Sequence, residues 1–168
     1  SAGRLRTLIE DLLAYSRAGR SELPAEPVDT QSLVAAIATS VSATREPPPV
    51  IEWNSLPTIA GEARQLSQLL QNLISNAIKF VPDGTVPTIV VSAERDGTWW
   101  RFAVDDNGIG IDAQDAERIF GMFQRLHTRD SYPGNGIGLA IARKVVEHHG
   151  GRIWAEARTG GGTRMAFT

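Results

Sequence analysis

Three stretches of this sequence bring together side chains whose types and spacing suit chemistry. Asn72, Asn76 and Lys79 recur at helical spacing, so one face of a helix presents two amides and an ammonium. Asparagine carbonyls can complete the shell of a hard cation such as magnesium, which otherwise takes phosphate oxygens and water. A lysine one turn on can neutralise phosphate charge. The same stripe is also what the polar face of a surface helix ordinarily shows. Asp106 leaves an apolar run and enters Asn107-Gly108-Ile109-Gly110-Ile111. A carboxylate there can accept from an exocyclic amine such as adenine N6, with glycines allowing close backbone approach. Asp-Asn-Gly is equally good turn chemistry. Gly134, Gly136 and Gly138 precede a helical pattern, where exposed amides and a helix N-terminus suit phosphate oxygens; a plain glycine loop reads the same way.

These residues need elements to hold them. Leu66, Leu69, Leu70, Leu73, Ile74, Ala77 and Ile78 predict a long helix from Gly61 to Pro82-Asp83-Gly84, carrying the asparagines beside its apolar stripe. Thr88–Glu94 and Trp99–Asp105 predict a hairpin around Asp96-Gly97, delivering Asp106 at a strand end. Residues 107–135 form a long glycine-bearing stretch with a short helix expected at Asp115–Phe120. Phe120 and Phe123 serve there as a plug that docks the stretch on the core. A helix is expected from Gly136 to His149, then strands Arg152–Ala157 and Thr163–Phe167 around Gly160-Gly161-Gly162. Upstream, Asp29 or Thr30 caps a helix bearing Leu33, Val34, Ile37 and Val41, and short strands are expected at Val50–Trp53 and Thr58–Ile59. Leu5, Leu8, Ile9, Leu12 and Leu13 mark a first helix over residues 1–18, joined by a polar linker over 19–27 to a main domain over 28–168.

Composition narrows the function classes. A net charge of −2 gives no electrostatic case for nucleic acid or an anionic membrane. No apolar run approaches a membrane span, and no signal peptide is visible. With no cysteine, disulfides and thiolate-bound metals are excluded, and a cytoplasmic setting fits. Three scattered histidines make no zinc site, since His148 and His149 diverge by about 100° on a helix.

The order of an asparagine helix, Asp-x-Gly-x-Gly, Phe-x-x-Phe, Gly-x-Gly-x-Gly-Leu and Gly-Gly-Thr resembles the catalytic ATP-binding domain of bacterial sensor histidine kinases. The run Phe-Gln-Arg-Leu-His-Thr-Arg-Asp followed by Pro-Gly-x-Gly-Ile-Gly-Leu-Ala-Ile most resembles the phytochrome-type and related light- or PAS-linked kinases, within the superfamily of gyrase, Hsp90 and MutL ATPases. The resemblance covers residues 28–168. It implies a two-layer α/β sandwich of the Bergerat type: a mixed sheet, helices on one face and a mobile ATP lid. It implies ATP and magnesium as cofactors. Asn76 would bind the metal with Asn72 assisting; Lys79 and Arg125 would touch phosphate; Phe80 would pack near adenine or ribose. Asp106 would hold adenine N6, with Gly108, Gly110 and Ile111 shaping the floor. Gly134, Gly136, Ile137, Gly138 and Leu139 would line the phosphates, and Thr163 would reach adenine through water.

Residues 1–18 resemble the end of the second helix of the family's dimerisation and phosphoacceptor hairpin. The histidine motif of that hairpin is missing, so this chain alone is not expected to autophosphorylate. The partners implied are the phosphoacceptor domain, a response-regulator receiver domain and a second copy of the parent protein. Hydrolases of the superfamily tend to carry glutamate one turn before the metal asparagine. Asn72 stands there and cannot act as a base, which favours transfer to a protein histidine. The rival readings are an anti-sigma-factor-like serine kinase and a non-catalytic nucleotide-binding module.

Overall fold

The computed structural model describes residues 2–19, 26–124 and 136–168. A first helix, α1, spans Ala2–Arg17. A strand β1 (Glu26–Asp29) leads directly into α2 (Thr30–Ala43), and Asp29 caps that helix by accepting from the Ser32 amide at 3.2 Å. Next come β2 (Val50–Trp53), β3 (Thr58–Gly61) and α3 (Ala63–Lys79). The hairpin β4 (Thr88–Asp96) and β5 (Trp99–Asp106) follows. The chain closes with α4 (Gly138–His148), β6 (Ile153–Ala157) and β7 (Thr163–Phe167).

Among the described residues five strands form one mixed sheet in the order β2-β4-β5-β7-β6, in which β2 and β4 run parallel and the other neighbours antiparallel. Helices α2, α3 and α4 cover one face, giving the two layers expected. The register aligns Ile89, Val91, Phe102, Val104 and Phe167 toward the helices, all of them buried. From α3 the facing residues are Leu66, Leu69, Leu70, Leu73 and Ile74, so the periodic stripe in the sequence is the core. The other sheet face is polar: Asp105, one residue from Asp106, turns outward and takes both arms of Arg164 at 2.7 and 2.8 Å.

Several elements differ from the sequence reading. Strand β1 pairs antiparallel with β3 and begins at Glu26, inside the stretch read as linker. Pro27 punctuates a sequence as a turn residue does, yet a two-stranded ribbon edge tolerates it. Residues 113–120 form two 3₁₀ turns, Ala113–Asp115 and Arg118–Phe120, in place of one helix. A segment this short does not repay helix nucleation, and burial of Ile119 and Phe120 anchors it instead. Helix α4 starts at Gly138 instead of Gly136.

Helix α1 lies against α4. Lys144 Nζ donates to the Tyr15 carbonyl at 3.0 Å and sits 4.2 Å from the Tyr15 ring centre, while Ala18 is buried. Leu5, Ile9, Leu12 and Leu13 remain exposed. No described helix is long and apolar enough to cross a membrane.

Leu69 is 1% exposed in the α3–sheet layer. Leu69→Ala is expected to cost about 2–5 kcal/mol, read as a lower denaturant midpoint at unchanged slope. A midpoint within error of the parent would contradict the packing described.

Candidate nucleotide site

Asp106 ends β5 with its side chain toward the helices and 8% of its surface exposed. Its Oδ1 accepts two main-chain bonds, from Gly108 N at 2.9 Å and Thr163 N at 3.1 Å. Both fall on one oxygen, so Oδ2 is left as an acceptor at the wall of a cavity of about 300 Å³. Burial holds this carboxyl above the usual carboxylate range. The two amides and the Arg158 guanidinium pull the other way, and Asp105 adds repulsion.

The turn after Asp106 is fixed to the end of α3. Ile109 N donates to Phe80 O at 2.9 Å, and a Cβ on Gly108 would run into that same carbonyl. Only glycine permits this approach. Gly108 itself is not on the cavity wall; it serves the wall by donating to Asp106. Asn107 also stays out of the cavity and pins the entry to β4, accepting from Thr88 N at 2.8 Å and donating to Val86 O at 3.0 Å.

The polar stripe of α3 forms another part of the wall. Asn72, Asn76, Lys79 and Phe80 all line it, and Lys79 Nζ lies 4.8 Å from the Phe80 ring centre. Asn72 Nδ2 donates to Gly138 O at 3.1 Å, tying α3 to the first residue of α4 and fixing which way the amide faces. Gly110, Ile111, Gly136, Ile137, Gly138, Leu139 and Thr163 line the same cavity. Arg125 and Gly134 lie outside the described residues.

The sequence reading missed the apolar lining from Leu73, Ala77, Val104, Ile109, Ile119 and Met165, of which Leu73 and Ala77 were read only as the apolar stripe of their helix. It also missed Thr7 and Asp11 of α1. No local signal marks those two, because only the docking of α1 on α4 brings them there. His149 braces the fold from outside the cavity. Its Nε2 accepts from Glu62 N at 3.1 Å, so Nδ1 carries the proton that faces Val145 O at 2.8 Å.

Chemically, the cavity joins an apolar compartment with the Asp106 acceptor to a stripe of amides and a lysine beside a helix start, with the Asp11 carboxylate of α1 also on its wall. That set suits a flat, amine-bearing ring attached to a polyanion. Among the described residues no group of three His, Cys, Asp or Glu side chains could hold a metal. Two asparagine amides alone fit a cation that arrives with phosphate oxygens and water in its shell.

A family model for histidine kinase-, DNA gyrase B-, and HSP90-like ATPases matches residues 61–168. The cyanobacterial phytochrome A of Nostoc sp. is 45% identical over 165 residues, covering 98% of this chain and 21% of that protein. Full-length ShkA, solved in complex with AMPPNP, superposes with a TM-score of 0.80 at 32% identity, over 98% of this chain and 35% of that one. Histidine kinase ThkA, solved in complex with response regulator protein TrrA, gives 0.76 at 26% identity, over 99% and 47%. The chain spans about a fifth of the length of the curated relatives it matches.

Asp106→Asn separates fold from recognition. An asparagine oxygen still accepts from Gly108 and Thr163, but its amide puts a donor where Oδ2 was. Because the folded pKa is raised above the unfolded one, ionised Asp106 subtracts from stability at neutral pH, and stability rises as pH falls through the folded value. The variant should therefore melt at or above the parent temperature while binding adenine nucleotide at least roughly tenfold more weakly. Unchanged affinity would remove Asp106 from the site.

Proposed function

The chain belongs to the histidine kinase-, DNA gyrase B-, and HSP90-like ATPases, and from that premise we propose that it is the kinase half of a two-component sensor histidine kinase. In this reading it binds ATP with magnesium and presents the γ-phosphoryl group to a histidine on a phosphoacceptor domain. A response-regulator receiver domain then takes the phosphoryl group, and the parent protein works as a homodimer. The observation that carries the reading is a single cavity lined by both Asp106 and the Asn72–Asn76–Lys79 stripe.

The residue roles follow from the chemistry of the wall. Asp106 Oδ2 accepts from the adenine amine, which selects adenine over a base carrying a carbonyl there. Ile109, Ile111 and Met165 supply apolar cover for the ring, with Phe80 at its edge and Thr163 reaching it through water. Asn76 holds magnesium through its amide oxygen. Asn72 assists with Oδ1, since its Nδ2 is spent on Gly138. Lys79 and the main chain of Gly136 and Gly138 face the phosphates.

Magnesium supplies charge neutralisation on the phosphates; the protein supplies position. The acceptor nitrogen forms a bond to γ-phosphorus as the bond to the β-phosphate oxygen breaks, releasing ADP, so little covalent work falls to this chain. Asn72 offers no general base for water at the position where hydrolysis would need one, which supports transfer over hydrolysis.

Calorimetric titration with a non-hydrolysable ATP analogue, with and without magnesium and with GTP as control, tests the pocket. Adenine-selective, magnesium-sensitive binding is expected, and equal binding of GTP would overturn the base assignment. Asn76→Ala should bind with little response to magnesium; a magnesium titration matching the parent would take that residue out of the metal's shell. Addition of a separate phosphoacceptor hairpin with radiolabelled ATP should yield acid-labile phosphohistidine, and release of inorganic phosphate alone would favour a hydrolase.

A further inference from the structure

Arg158 lies just beyond β6, on a turn that the sequence marks only by its glycines. Its Nη1 crosses to the end of β5 and donates to the main-chain carbonyl of Asp106 at 2.5 Å, a contact across 52 residues of sequence. The turn that carries it is closed on itself. Arg158 N donates to Gly162 O at 3.2 Å, and Gly161 N donates to Arg158 O at 3.2 Å. Gly162 sits at φ +87°, and a Cβ there would strike the Asp106 carbonyl, so the turn rests directly on that peptide. The β6–β7 segment thus grips Asp106 in three ways: Arg158 on its carbonyl, Gly162 packed against that carbonyl, and Thr163 N on its carboxylate.

We infer that Arg158 is a positioning residue for nucleotide recognition, clamping the main chain of Asp106 so that the free carboxylate oxygen faces the cavity. This rests on the reading of Asp106 as the base acceptor. The charges around the carboxyl support the same role. On its own strand stands Asp105, engaged by Arg164 of β7; α3 contributes Lys79 and α1 contributes Asp11 to the same cavity wall; β4 opposes it with Ile89, which carries no charge. Arg158 is the cation whose field favours ionisation of Asp106, against burial and Asp105. One guanidinium therefore fixes the position of the residue and favours the charged form that accepts a hydrogen bond.

The test uses the whole chain with Arg158→Gln, Arg158→Met, Arg158→Lys and Asp106→Asn. Affinity for a non-hydrolysable ATP analogue is measured from about pH 4 to about pH 8, with melting curves alongside. The nucleotide's own titration is common to all variants, so differences between them report the protein. Arg158→Gln and Arg158→Met should bind roughly threefold to tenfold more weakly at the alkaline end. Their loss of affinity on acidification should begin at higher pH than in the parent, because removal of the cation raises the Asp106 pKa further. Arg158→Lys should keep the parent's pH profile. A merely structural brace would lower the melting temperature and leave the pH profile in place. Parent-like profiles in both Arg158→Gln and Arg158→Met, combined with lost binding in Asp106→Asn, would overturn this inference alone. Parent-like binding in Asp106→Asn would instead overturn the base-acceptor reading beneath it.

Discussion

Asp106 is an ionisable group at the inner end of an apolar strand, and burial works against its charge. What makes the position tenable is a set of donors near and far in the chain: Gly108 two residues on, Thr163 on the neighbouring strand and Arg158 on the turn that leads into that strand. Each donor depends on an element being in place. Thr163 reaches Asp106 because β7 pairs with β5, Gly108 because its turn is pressed against Phe80 O, and Phe80 because α3 ends there. Sheet, helix and turn thus converge on one carboxylate, and the cavity is what remains between them.

Helix α3 serves two demands at once. Its leucine stripe fills the core, and a neighbouring stripe lines the cavity. The 3.6-residue period lets the two run side by side along one helix, meeting at Leu73 and Ala77, which are buried and also line the cavity. The bond from Asn72 to Gly138 then couples that second stripe to the start of α4, so the spacing of the two helices across the cavity is set by a polar side chain on its wall as well as by packing.

Much of this was legible in the sequence, for physical reasons. Periodicity revealed α3 and the β4–β5 hairpin because burial imposes it on residues close in the chain. Asp106 and its glycines stood out because a tight turn demands those residue types. What escaped notice depends on tertiary contact. Thr7 and Asp11 reach the cavity through α1 docking on α4, Arg158 acts across the sheet, and His149 holds the Glu62 amide from the far end of α4. Asn107 sits within the most conspicuous motif of the chain yet braces β4 instead of facing the cavity. Strand β1 was hidden by Pro27, and the two 3₁₀ turns by a helical pattern too short to sustain a helix.

Two acidic residues in succession at the end of β5 have opposite assignments. Asp105 faces outward to Arg164, and Asp106 faces inward to the cavity. Because strand side chains alternate, the loss or gain of one residue in the short Gly97-Thr98 turn would exchange them, turning the outward carboxylate toward the cavity and the inward one toward Arg164. A change of two residues would restore the facing but shift the site by roughly 7 Å along the strand. Point substitutions in that exposed turn leave the alternation intact, whereas length changes do not. Over evolutionary time the β4–β5 turn should therefore hold its length and keep at Gly97, where φ is +65°, a residue that tolerates a left-handed backbone, while Thr98 drifts in composition.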